Sequence, residues 1–136
     1  IEGVFQNKCY EAVDRGEALT ADQYDQYFRE TLEEFWGDAV TIQKGAERTW
    51  MRQPHYYSGL YSYTYSAGLT LGTEANRLLQ EEGDAAVKRW ISFLEAGGTK
   101  DVLGLAKLAG VDLSTDAPLK NTMKKIETLV DGVEGK

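Results

Sequence analysis

The sequence predicts an all-α fold of about six helices, and three observations carry that expectation. Apolar residues recur at three- and four-residue spacing along most of the chain. Only two prolines occur, Pro54 and Pro118, so long helices can run unbroken. No segment alternates apolar and polar residues as a strand does, apart from a weak candidate at Ala39–Gln43.

The elements follow in order. Residues 3–14 place Val4, Phe5, Cys9, Ala12 and Val13 on one helical face, and Gly16 closes that helix. Thr20 caps the next helix, with Gln23 in the capping-box position. Tyr24, Tyr27, Phe28, Leu32, Phe35 and Trp36 then follow at helical spacing up to Gly37-Asp38. Residues 38–53 read as a connection with one helical turn around Ala46–Trp50. Pro54 suits a helix start, and the pattern reads as one helix from His55 to Leu79. Gly59, Gly68 and Gly72 lie inside it. Each costs about 1 kcal/mol relative to alanine, so that helix is expected to be buried and closely packed. Asp84 is expected to cap a helix over Ala85–Glu95, with Val87, Trp90, Ile91 and Leu94 inward. Thr99 is expected to cap Lys100–Ala109, with Gly110 as its stop. Asp116 and Pro118 open a last helix carrying Leu119, Met123, Ile126, Leu129 and Val130.

Composition narrows the function. At 136 residues the chain suits one domain, 1–136. Its net charge of −7 argues against nucleic acid as a partner, because phosphate binding needs clustered Lys and Arg. No apolar run approaches the roughly 18 residues of a membrane span, so no membrane partner is expected. The single cysteine, Cys9, has no internal disulfide partner and reads as a buried structural thiol. A reducing, cytoplasmic setting is the simplest expectation. Ile1 opens inside a helical pattern, which suggests a piece of a longer protein.

Several kinds of chemistry lack their residues. One histidine cannot supply an H-E-x-x-H zinc motif. There is no phosphate-binding glycine loop and no G-x-S-x-G elbow. Glu33-Glu34, Glu81-Glu82 and Asp22/Asp25 read as solvated helix faces. Arg52 reads as a structural ion-pair partner, with a substrate carboxylate as the alternative. Trp36, Trp50, Trp90, Phe28, Phe35 and Phe93 read as core.

One stretch stands apart. PHYYSGLYSYTYS, residues 54–66, holds the only histidine, His55, and five of the eight tyrosines. On a helix, Tyr57, Tyr61 and Tyr65 form a row, and Tyr63 lies about 80° around the axis from His55. Neutral phenols and an imidazole are donors suited to an oxyanion or a substrate backbone. The same spacing also suits packing, with each hydroxyl finding a partner.

The run WMRQPHYYSGLYSYTYSAG resembles the C-terminal signature of the oligoendopeptidase F family, zinc metallopeptidases related to thimet oligopeptidase. TADQYDQYFRETLEEFWGDAV is similar to the helix before that signature. The FL-x-AGG-x-K and AGVDL marks resemble the segment after it. The resemblance implies a helical, two-lobed catalytic domain of which this chain forms a C-terminal part, with short peptides as substrates. It implies zinc in the intact enzyme, none held by this chain, because the H-E-x-x-H ligands lie upstream. The chain is therefore expected to be inactive alone and to partner the remaining catalytic domain. Carried over, His55 and Tyr63 are the catalytic donors facing the zinc, and Tyr56 and Tyr61 bind substrate. A piece of a larger lobe exposes apolar surface, so self-association into dimers or larger is also expected. The alternative reading is a non-catalytic helical interaction module whose tyrosine row is an interface.

Overall fold

A computed structural model of the chain describes residues 1–134. Among the described residues there are six α-helices, two 3-10 helices and no strand. The helices are α1 (Glu2–Asp14), α2 (Ala21–Trp36), α3 (Tyr63–Glu82), α4 (Asp84–Ala96), α5 (Val102–Leu108) and α6 (Ala117–Glu134). The 3-10 helices are Ala46–Arg52 and Pro54–Tyr57. The expected all-α class and helix number are what the chain adopts. The chain divides into two compact units, Ile1–Tyr65 and the residues from Ser66 onward.

In the first unit α1 packs on α2 through aromatic edges. The Phe5 ring meets Phe28 at 5.0 Å and Tyr24 at 6.3 Å, both edge-on. Phe5, Ala12 and Phe28 are buried, whereas Val4 and Val13 are exposed. The Thr20 hydroxyl accepts from the Gln23 backbone N–H while the Gln23 side chain accepts from the Thr20 N–H. The capping box is therefore formed as expected. The connection after α2 is fastened by polar contacts. The Trp50 indole N–H donates to Asp25 at 2.7 Å, and Arg48 donates to the same carboxylate at 3.2 Å. Asp25 is thus an anchor rather than a solvated charge. Residues 39–43 form no strand. Phe35 and Trp36 pack on each other but are exposed, against the expectation of core.

In the second unit Leu78, Ala86, Ala109 and Val111 form the buried centre, flanked by Leu71, Leu79, Trp90, Phe93 and Leu113. Trp90 and Phe93 stack at 5.0 Å. Ala86, Trp90 and Phe93 set the inward face of α4, so Trp90 faces in as expected while Val87, Ile91 and Leu94 are exposed. Gly83, at φ 56°, is the N-cap of α4, and Asp84 is its first residue. Asp101, not Thr99, caps α5, accepting from the Gly104 N–H at 2.7 Å. The Thr99 hydroxyl instead donates back to the Ala96 carbonyl. Gly110, at φ 86°, stops α5 as expected. Glu74, buried at 6% exposure, accepts from Arg77 and from Asn121, which ties α6 to α3. Among the described residues nothing lies within 4 Å of a Cβ placed at Gly68 or Gly72. Their side of α3 is open, and close packing does not explain them.

Candidate functional site

The histidine stretch does not continue into α3 as one helix. Pro54–Tyr57 forms a 3-10 turn, Ser58 is extended, and α3 begins only at Tyr63. Side chains of α1 explain the break. Gln6 Nε2 donates to the Ser58 carbonyl at 3.2 Å, and the Leu60 N–H donates to the Tyr10 hydroxyl at 3.4 Å. These are backbone groups a continuous helix would use for itself. Leu60 turns the chain with φ 49°, a left-handed value uncommon outside glycine. The tyrosine row expected from helical spacing is therefore rearranged.

What the break assembles is an imidazole between two phenols. The His55 ring centre lies 5.1 Å from Tyr61 and 5.4 Å from Tyr65. Tyr61 and Tyr65 meet edge-on at 5.6 Å. The Tyr65 hydroxyl is 3.4 Å from His55 Nε2. Hydrogen bonding with the Tyr61 side chain, then loss of hydration, raise the Tyr65 pKa. Tyr65 therefore stays a neutral phenol at pH 7.

Tyr63 opens α3 and is half exposed, and its hydroxyl has no hydrogen-bond partner among the described residues. Its backbone is fixed on α1, where a Cβ at Gly3 would lie 3.6 Å from the Tyr63 Cβ. Tyr56 points the other way. Its ring packs on Phe5 at 5.1 Å, and its hydroxyl is buried without a partner. Burial, then the Glu2 carboxylate, push its pKa well above the ordinary phenol value. Tyr57 is 83% exposed. Of the four residues singled out in the sequence, His55 and Tyr61 lie in contact, Tyr63 is free on the first turn of α3, and Tyr56 is drawn inward.

Behind Tyr56 and Tyr57 lies a pocket of about 360 Å³ lined by Phe5, Gln6, Cys9, Tyr24 and Trp50. Burial raises the Cys9 pKa to about 11, so it remains a thiol. It is half-buried, which fits a structural role. Arg52 is exposed and has no carboxylate partner among the described residues. Glu33, Glu34, Glu81 and Glu82 pair with Arg29, Lys8, Arg77 and Arg89 respectively. Among the described residues no three His, Cys, Asp or Glu side chains converge as a metal site would require.

Residues 3–125 match the model of peptidase family M3. The chain belongs to that family. Several relatives it matches are named as oligopeptidases or oligoendopeptidases. It is 29% identical over 130 residues to oligopeptidase PepF of Bacillus subtilis, covering 96% of this chain and 19% of that protein. It is 26% identical to an oligoendopeptidase F homolog of Borreliella burgdorferi, covering 88% of this chain and 20% of that protein. The chain thus spans about a fifth of the length of these relatives. A crystal structure of a protein named as a peptidase from Chlamydophila abortus superposes with a TM-score of 0.85 at 24% identity. It covers 96% of this chain and 22% of that one, and it shows the fold.

Signals for Tyr65 were present in its four-residue spacing from Tyr61. The supports Gln6 and Tyr10 carried none, because they lie about fifty residues away.

Proposed function

We propose that this M3 segment forms the donor wall of a zinc-dependent oligopeptidase, as a C-terminal part of its catalytic domain. In this reading the intact enzyme hydrolyses short peptides in the cytoplasm. Zinc and its ligands belong to the remaining catalytic domain, which supplies the activated water. The segment is then inactive alone.

His55 carries the reading. It is the only histidine, it is half-buried, and two phenols hold its ring. An imidazole fixed in this way donates to an oxyanion with little reorganisation. Tyr65 is the positioning residue, because its hydroxyl is already engaged with His55. Tyr63 is the second donor, its hydroxyl free to reach a substrate oxygen. Tyr61 lines the substrate side, and Tyr56, drawn inward onto Phe5, supports the turn behind it. Such donors accelerate hydrolysis only if they bind the transition state more tightly than the substrate.

The test is His55→Ala in a peptidase carrying this segment, with zinc content measured. The expected result is a fall in kcat of about 10²–10³ with zinc retained. Full activity at unchanged zinc content would contradict the assignment.

A further inference from the structure

We propose that a row on α1, made of Glu2, Gln6 and Tyr10, is the positioning template of His55. This rests on the reading of His55 as an oxyanion donor. The three residues follow one another at four-residue spacing, so their side chains share one face of the helix. Together they hold the backbone on both sides of His55. Before it, the Gln53 side-chain amide donates to Glu2 at 2.9 Å, and the Gln53 side-chain oxygen accepts from the His55 N–H at 3.5 Å. After it, Gln6 donates to the Ser58 carbonyl at 3.2 Å, and the Tyr10 hydroxyl accepts from the Leu60 N–H at 3.4 Å. Gln6 also donates to the Tyr10 hydroxyl at 3.4 Å, which joins the last two grips.

The contacts of His55 require this hold. Continued as one α-helix, residues 55–65 would set His55 and Tyr65 about 15 Å apart along the axis. Here the Tyr65 hydroxyl is 3.4 Å from His55 Nε2, and the Tyr61 ring centre is 5.1 Å from the imidazole. The phenols therefore reach His55 only while the helix is broken between them. The break also carries local strain. Leu60 sits at φ 49°. Gln6 is 4% exposed, yet its Oε1 has no hydrogen-bond partner among the described residues. A left-handed leucine and an unpaired buried acceptor both weaken a fold. Stability alone gives no reason for a half-satisfied buried glutamine, whereas holding Ser58 needs only its amide N–H. Strain concentrated at one turn beside a reactive group is the pattern of a site that must keep its geometry.

The test is a double-mutant cycle with His55→Ala in a peptidase carrying this segment. Gln6→Leu removes the amide, and Tyr10→Phe keeps the ring and removes the oxygen. Gln6→Leu should lower kcat about tenfold, with KM and zinc content within about twofold of the parent. Tyr10→Phe should lower kcat roughly fivefold. In the His55→Ala background neither change should lower kcat by more than about twofold, because the group that the row places is gone. A residue that only stabilises the fold would lower activity equally in both backgrounds. Parental kcat in both single variants, beside an impaired His55→Ala, would overturn the template. So would losses of the same size in both backgrounds. A fully active His55→Ala would instead remove the donor reading on which the template rests.

Discussion

The two units of this chain are held by different means. Up to Tyr65 the helices and turns are fixed by aromatic edges and by long-range hydrogen bonds. Phe5 meets Phe28, Trp50 donates to Asp25, and Gln6 and Tyr10 grip residues 58 and 60. From Ser66 onward the buried centre is aliphatic, with Leu78, Ala86, Ala109 and Val111 at its heart. Many of that unit's large apolar residues face outward, among them Leu69, Ile91, Leu94, Met123 and Leu129. Reactive groups need fixed directions, and directional bonds supply them. The candidate donors lie in the first unit, where such directional contacts are found.

Breaking the aromatic clamp should cost most. Phe28→Ala removes a buried ring and should destabilise the first unit by about 3–5 kcal/mol, read from urea denaturation. An unchanged midpoint would mean that α1 and α2 do not depend on that contact.

In the second unit the sharpest single feature is Glu74. Hydrogen bonding from Arg77, then from Asn121, holds its pKa below the ordinary 4.5. A depressed carboxylate stabilises the fold above its unfolded pKa, and that stability is lost as pH falls through the lower folded value. Glu74→Gln should therefore flatten the stability profile below about pH 4.5. At pH 7 it should cost about 2 kcal/mol. A parallel loss at all pH values would contradict this account.

Smaller effects mark each unit. Thr20→Ala removes the capping box of α2 and should cost about 1 kcal/mol. Gly72→Ala in α3 meets no atom within 4 Å and should stabilise by up to about 1 kcal/mol. A destabilising Gly72→Ala would contradict an open face at this position.

Local chemistry was readable in the sequence. The Thr20–Gln23 box, the Gly110 stop, the extents of α1 and α2 and the start of α6 follow from caps and spacing. What could not be read depends on distant residues. His55–Leu79 has helical spacing throughout, yet Gln6 and Tyr10 capture its backbone and delay the helix to Tyr63. In α4 and α6 the spacing located the apolar stripe correctly. Whether such a stripe faces inward depends on what covers it, and spacing is silent on that. His55 stood out as the only histidine, but its phenol neighbours Tyr61 and Tyr65 are set by the break.

The most direct test of the donor wall compares Tyr63→Phe with Tyr65→Phe in a peptidase carrying this segment, at equal zinc content. The account predicts a kcat loss of about 10²–10³ for Tyr63→Phe, which deletes a donor to the reacting oxygen. It predicts about a tenfold loss for Tyr65→Phe, which only loosens His55. Full activity in Tyr63→Phe, or a larger loss in Tyr65→Phe, would contradict it.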